Sequence, residues 1–298
     1  MHKYDLVAVD LDGTLIGPDG SIHPKNIEMI AAAHAAGVCV TLCTGRALIE
    51  TSPAVKHIGS VDPVIVCGGA MVSCPITGET LERFTLDPEL VGEAVDHLHT
   101  DDHPALLLKD PAATGYDYLI VTPKGPDAID PASRWWFKKM GVRTQYASHV
   151  KHDPHPHDTV RVGVYKANLP IDPLAASMRS RFNGRSQLQH FRGVMIPDDG
   201  QDESGRGINT VHIVELFHHH ADKWMALQRL AARRNVPLSR VAAIGDQHND
   251  LTMVGGAALG VAMGNATPEV VAVSKRQTLK SEEGGVGHAL EMILTGEW

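Results

Sequence analysis

The sequence predicts an α/β protein: a Rossmann-like core of parallel strands, interrupted by a second, inserted α/β domain. Three observations carry this prediction. Uninterrupted apolar runs, Leu6-Val7-Ala8-Val9, Val38 to Cys43 and Val241-Ala242-Ala243-Ile244, fit strands covered on both faces. A helical stretch between the first two makes a βαβ unit, whose crossover is right-handed. From about Phe84 to about Phe217 the texture changes to short apolar segments and helices with frequent Pro and His. The boundaries read from this are 1–83 and 218–298 for the core and 84–217 for the insertion, and 298 residues leave room for about two domains.

The first strand, within YDLVAVDLDGT at Tyr4 to Thr14, runs into Asp10, followed by Asp12 and Gly13-Thr14. In open α/β sheets, ligands sit at the carboxyl ends of the strands, where backbone N–H groups are free to meet anions. Gly17-Pro18-Asp19-Gly20 reads as a turn. Pro24 to Ala36 reads as a helix with Ile27, Ile30 and Ala31 on its inner face and Gly37 as its stop. The next strand ends in Thr44-Gly45-Arg46, delivered beside Asp10 by the right-handed crossover. Val64-Ile65-Val66-Cys67 reads as a further core strand ending in Gly68-Gly69-Ala70.

In the insertion, Pro88 to His99 reads as a helix, and Leu106 to Leu108, Tyr118 to Val121 and Val160 to Tyr165 as strands. Asp130-Pro131 starts a helix on which Trp135-Trp136-Phe137 form either core or a stacking surface. His149, His152, His155 and His157 read as a solvated or adventitiously metal-binding tract. His218-His219-His220 are either solvated or in contact with substrate or insertion. Ile196 to Gly207 is acidic and turn-rich, and is expected to form a mobile surface loop.

Asp222 is placed as the N-cap of a helix over Lys223 to Arg234, with Trp224, Leu227, Leu230 and Ala231 as its buried stripe. Arg233 and Arg234 suit the C-terminal end, but Lys223 opposes the helix dipole, which points to an anion nearby. The third strand ends in Gly245-Asp246-Gln247-His248-Asn249-Asp250. Leu259 to Met263 and Val270 to Val273 read as the last core strands, and His288 to Leu294 as a closing helix.

A hydrophobic content of 43% and a charged content of 21% are ordinary for a globular chain. The net charge of -8 argues against a general nucleic-acid binder, while leaving room for small anions at a local site. With no apolar run of spanning length and no leader before the first strand, the expectation is a cytoplasmic protein without a membrane partner. Cys39, Cys43, Cys67 and Cys74 form no CxxC pair and read as reduced thiols rather than a zinc site. Oligomeric state is left open.

If the strands lie parallel in one sheet, Asp10, Thr44, Asp246 and Asp250 converge on one edge within reach of Lys223. That set comprises a nucleophile, a hydroxyl, a cation and a carboxylate cluster for a metal. The motifs DLDGT at 10–14, TGR at 44–46, Lys223, GDQHND at 245–250 and AMGNA at 262–266, with EGGVG at 283–287, occur in the order found in one family. The chain resembles the haloacid dehalogenase (HAD) superfamily, and within it the Cof-type hydrolases, phosphatases with a large α/β cap.

The resemblance implies an HAD-like core, a cap at the insertion, and a Mg²⁺-dependent phosphatase of a small phosphorylated metabolite, with a sugar or polyol phosphate favoured. Phosphate monoesters demand up to roughly 20 kcal/mol of transition-state stabilisation, nearly all of it from positioning and charge neutralisation. The implied route is two steps through an aspartyl phosphate. Asp10 is the nucleophile, and Asp12 the general acid, then the base. Asp10, Asp246 and the Asp12 backbone carbonyl would hold the metal, with Asp250 supporting the shell. Thr44 and Lys223 would clamp phosphate oxygens, with Thr14, Gly45, Arg46 and Asn249 adding contacts. Two positions depart from the pattern. Gly68 stands where many Cof-type relatives carry Asn, and Trp224 stands where they carry Gly, so that it is expected near the site entrance. Alternatives are a phosphomutase of the same superfamily and an aspartate-phosphorylated switch, though a switch has no need of Asp12 or a cap.

Overall fold

The structure of the protein, a computed structural model, describes residues 2–168, 170–193 and 210–298. The acidic stretch 196–207 lies outside the described residues. The chain divides into two compact units: Met1–Glu82 with Asp222–Trp298, and Arg83–Ala221.

The first unit opens with β1 (Leu6–Val9), α1 (Pro24–Ala35), β2 (Cys39–Leu42), α2 (Leu48–Ile58) and β3 (Val64–Val66). A hairpin-like extension follows as β4 (Met71–Ser73) and β5 (Thr80–Arg83), making a three-stranded sheet in the order β3-β4-β5. The second unit holds α3 (Pro88–Thr100), β6 (Ala105–Lys109), α4 (Pro111–Thr114), β7 (Tyr118–Val121), α5 (Pro131–Met140) and β8 (Thr144–Ala147). It continues with β9 (Thr159–Ala167), α6 (Asp172–Phe182), β10 (Ser186–Gly193) and β11 (Val211–His218). The chain returns to the first unit with α7 (Lys223–Arg233), β12 (Val241–Gly245), α8 (Leu251–Gly256), β13 (Leu259–Ala262), α9 (Pro268–Val273), β14 (Arg276–Gln277) and α10 (Gly285–Thr295).

The core sheet is parallel, in the order β14-β13-β12-β1-β2. β1 lies between two partners: Leu6 is in register with Cys39 on one side and with Val241 on the other. Every residue of β1, β2, β12 and β13 is buried, which is why these strands read as continuous apolar runs with no alternation. This register sets the ends of β1, β2 and β12 side by side. The tips of three separate sequence segments therefore share one edge.

The second unit is a six-stranded sheet in the order β10-β11-β9-β6-β7-β8, antiparallel except for β7 with β8. Along β9, Val162 and Val164 join a core with Val91 and Val95 of α3 and with Met178 and Phe182 of α6. The alternate residue Arg161 faces the other side and is buried against Glu215 at 2.9 Å. Lys109 is fully buried at the end of β6, where its ammonium donates to Thr159 Oγ1 at 2.7 Å, to the His155 carbonyl at 3.0 Å and to Asp153. Among the described residues, no helix is long and apolar enough to cross a membrane.

Three expectations are corrected. Val270 to Val273 is not a strand but the end of α9, where only Val270 is buried. Pro268 at the first helical position is preorganised for a helix, and a four-residue apolar run is too short for periodicity to separate the two states. The last strand is instead β14, two exposed polar residues on the sheet edge. On α1 the buried face is Asn26, Ile30 and Ala33, leaving Ala31 exposed, because Asn26 accepts the Gly287 N–H at 2.8 Å and turns the helix toward α10. The second crossover between units falls after Ala221 rather than Phe217, because β11 continues to His218.

The Lys109 cluster generates a stability prediction. Asp153→Ala leaves a buried ammonium without its counter-charge and is expected to lower the unfolding free energy by about 3–5 kcal/mol. Lys124→Ala, which removes the exposed pair with Asp102, is expected to cost under about 1 kcal/mol. Urea unfolding of the two variants checks this; equal losses would contradict it.

Candidate active site

Asp10 follows β1, Thr44 lies just beyond β2, and Asp246 follows β12, so the parallel register brings all three to the carboxyl edge of the sheet. Lys223 is the first residue of α7, whose N-cap Asp222 accepts the N–H groups of Trp224 at 2.8 Å and Met225 at 3.1 Å. This capping fixes the start of the helix and the direction in which Lys223 leaves it.

The lysine ammonium is buried and lies 2.6 Å from Asp10 Oδ1 and 2.6 Å from Asp250 Oδ1. The other oxygen of Asp250 accepts the backbone N–H groups of Asp246 at 3.0 Å and Gln247 at 3.1 Å. Asp246 is held in turn by Thr14 Oγ1, which donates to its Oδ1 at 2.9 Å. Gly13 has φ +85°, and a Cβ there would lie 2.5 Å from Asp246 Oδ2. Only glycine lets the Asp12–Thr14 turn approach the second acidic strand tip this closely.

Three buried carboxylates thus face one ammonium. Burial, and then the charge of Asp250, push the Asp10 carboxyl well above the usual carboxylate range despite Lys223. Burial raises Asp246 to about 6, against the lowering effect of the Thr14 hydrogen bond. For Lys223, burial works against the charged form, but Asp10 and Asp250 outweigh it and hold the ammonium above its ordinary value. Fully ionised, the three carboxylates carry more negative charge than the one lysine balances. Asp10, Asp246 and Asp250 each offer an oxygen within 4.8 Å of the others, an all-oxygen set suited to a hard divalent cation. No other such group of three ligating side chains occurs among the described residues.

The remaining residues named from the sequence fall at different depths. Thr44 is buried, and its Oγ accepts the Arg46 N–H at 3.2 Å. Arg46 grips the half-exposed carboxylate of Asp12 with both Nε, at 2.9 Å, and Nη2. Gly45 lies between them, partly buried. Thr14 is fully buried with its hydroxyl engaged on Asp246, so its place is behind the acidic cluster. Asn249 is exposed in the one-turn segment His248–Asp250. Trp224 turns away from this edge. It packs on the apolar cluster of α7, β1 and β12 and covers Gly256, which corrects its expected place at an entrance.

Asn265 is a site residue that sequence reasoning left without a role. Its amide donates to the Gly13 carbonyl at 2.9 Å and to Asp246 Oδ2 at 3.3 Å, while its Oδ1 accepts the Ser281 N–H at 3.0 Å. Its only signal was the AMGNA motif, since an Asn in a turn is unremarkable by itself. Cys39, Cys43 and Cys67 are buried and lie in no disulfide, and burial pushes the Cys43 thiol up, in keeping with an unreactive core group. In the second unit, the rings of His218 and His219 stack at 4.2 Å and His218 lies on Phe84 at 5.2 Å. Of Trp135-Trp136-Phe137, only Phe137 is buried.

Comparison with known proteins shows the family. A model of the haloacid dehalogenase-like hydrolase family matches residues 7–290. Phosphatase YwpJ of Bacillus subtilis is 26% identical, over 97% of this chain and 99% of its own. The 5-amino-6-(5-phospho-D-ribitylamino)uracil phosphatase YwtE of the same organism is 28% identical, over 98% and 99%. The crystal structure of a haloacid dehalogenase-like hydrolase from Bacteroides thetaiotaomicron shares the fold, with a TM-score of 0.76 at 22% identity, covering 98% of this chain and 100% of that one. The chain belongs to the haloacid dehalogenase-like hydrolases, Cof-type.

Proposed function

We propose that this phosphoric monoester hydrolase is a Mg²⁺-dependent phosphatase of small phosphorylated metabolites, working through a phosphorylated Asp10. The observation that carries the reading is the buried Lys223 ammonium, 2.6 Å from Asp10 and from Asp250, beside a third buried carboxylate at the same strand edge. A nucleophile in that place needs cations around it, because carboxylate and phosphate repel.

Asp10 attacks phosphorus in line and the ester oxygen leaves as an alcohol, taking a proton from Asp12. Asp12 then removes a proton from the water that attacks phosphorus, which releases inorganic phosphate and restores Asp10. For this work Asp12 exchanges its Arg46 partner for the leaving oxygen, a movement its exposure permits. Lys223 and Thr44 hold phosphate oxygens, with the Gly45 and Arg46 loop and Asn249 around them. Thr14, buried behind it, and the exposed Asn265 hold Asp246 in place. Mg²⁺ held by Asp10, Asp246 and the Asp12 carbonyl, with Asp250 behind them, would neutralise the charge on the transferring group. The relative acting on a 5-phospho-D-ribityl compound supports sugar or polyol phosphates as the first substrates to test.

The purified protein is expected to release inorganic phosphate from a narrow group within a panel of sugar, polyol, nucleotide and cofactor phosphates, and EDTA should abolish that release. Isomerised product in place of phosphate would make it a mutase. Asp10→Asn should lower kcat by at least about a thousandfold. The same variant should melt no lower than the parent, since the amide relieves the crowding of like charges; substantial turnover in it would refute the nucleophile. Mg²⁺ should raise the melting temperature of the parent through preferential binding to the folded state. Asp246→Asn should abolish that rise, and an undiminished rise would remove Asp246 from the metal site.

A further inference from the structure

The segment after β3, Cys67-Gly68-Gly69, holds three consecutive residues in the left-handed region, with φ of 55°, 64° and 96°. All three are buried. Such a run is uphill for any residue with a Cβ, and Cys67 has one, so the surrounding structure must hold it in place. Its contacts fall on the two halves of the candidate site. The Cys67 N–H donates to the Arg46 carbonyl at 2.8 Å, and the Gly68 N–H to the Thr44 carbonyl at 3.0 Å. On its other side, Gly69 lies flat against the peptide that starts α7: a Cβ there would sit 2.2 Å from the Asp222 carbonyl oxygen and 2.8 Å from the Lys223 nitrogen.

We propose that this left-handed turn is a spacer that sets the distance between the Thr44–Arg46 loop and the Lys223 ammonium, and that Gly69 is a positioning residue acting through Lys223. The inference rests on the reading of Lys223 as the cation that grips phosphate. The turn touches the backbone of both arms of the grip. Lys223 has no freedom to compensate for a shift, since its ammonium is buried and pinned at 2.6 Å by two carboxylates. Any side chain at 69 must push the Asp222–Lys223 peptide outward and carry the ammonium away from Asp10 and from the loop. A displacement of about 1 Å at this distance from the chemistry is enough for a hundredfold loss.

The test is a double-mutant cycle on kcat, corrected for the folded fraction by circular dichroism, with the best substrate of the phosphate panel. Gly69→Ala is expected to lower kcat by about 10- to 100-fold. In the Lys223→Gln background the same substitution should lower kcat no further, because the group it acts through is already gone. Gly287→Ala, also crowded, against the Lys25 carbonyl at 2.6 Å, but on α10, serves as the control for mere destabilisation and should leave kcat within about twofold. Equal factors in the two backgrounds, or an unchanged kcat in Gly69→Ala, overturn the inference while leaving the role of Lys223 intact. Full activity in Lys223→Gln alone overturns that role, and the inference with it. Should Gly69→Ala fail to fold, Thr252→Val replaces it in the cycle: it frees the Asp222 carboxylate, held at 2.8 Å, and keeps the turn. Its loss should be smaller, about threefold, and should also vanish in the Lys223→Gln background; a persistent loss or none overturns the inference.

Discussion

A buried ammonium shared by two carboxylates is the interaction on which the rest of this molecule depends. Lys223 joins Asp10, 213 positions away, to Asp250, 27 positions away, in a place where all three are buried. Removing the lysine from such a cluster would leave like charges uncompensated in a poorly polarisable interior, so the carboxylates depend on it. Their arrangement also leaves a surplus of negative charge, because Asp246 adds a third carboxylate to a single lysine. A divalent cation would offset that surplus, and would have to do so before an anionic phosphate ester could approach.

The fold serves this cluster by geometry rather than by bulk. Parallel register around β1 places three strand tips on one edge, and the right-handed crossover that contains α1 returns the chain to put Thr44 next to Asp10. Close approach is then a matter of single residues. Gly13 admits Asp246, Asn265 ties the Asp12–Thr14 turn to the segment after β13, and Gly69 admits the start of α7. The second unit solves a separate problem. It buries charged residues as matched pairs, Lys109 with Asp153 and Arg161 with Glu215, beside its apolar core.

Much of the core was legible because buried parallel strands leave a plain signature. Runs such as Leu6 to Val9 end in the carboxylates of the buried cluster, and the motif order points to the same residues. Helix starts were equally legible, since Asp130, Asp222 and the Pro88 and Pro131 positions obey local capping rules. What failed was decided by tertiary contact. Val270 to Val273 is apolar enough for a strand, and only its seat after Pro268 makes it a helix, while β14 has no apolar pattern to find. The inner face of α1 was misplaced because Asn26, a polar residue, takes the buried position by bonding to α10. The hydrogen bonds of Asn265 and Thr14 to Asp246 were not legible for a related reason. Sequence can place a polar residue near a site, but it cannot say whether that residue faces the substrate or supports another side chain from behind.

The account stands or falls on Asp10 becoming phosphorylated. A radiolabelled phosphate ester from the active group, mixed with the protein and Mg²⁺, quenched in acid within one turnover and digested, should leave label on the peptide containing Asp10. Hydroxylamine should remove that label, as expected for an acyl phosphate. Label on another peptide, or turnover with no labelled protein at any quench time, would contradict the account.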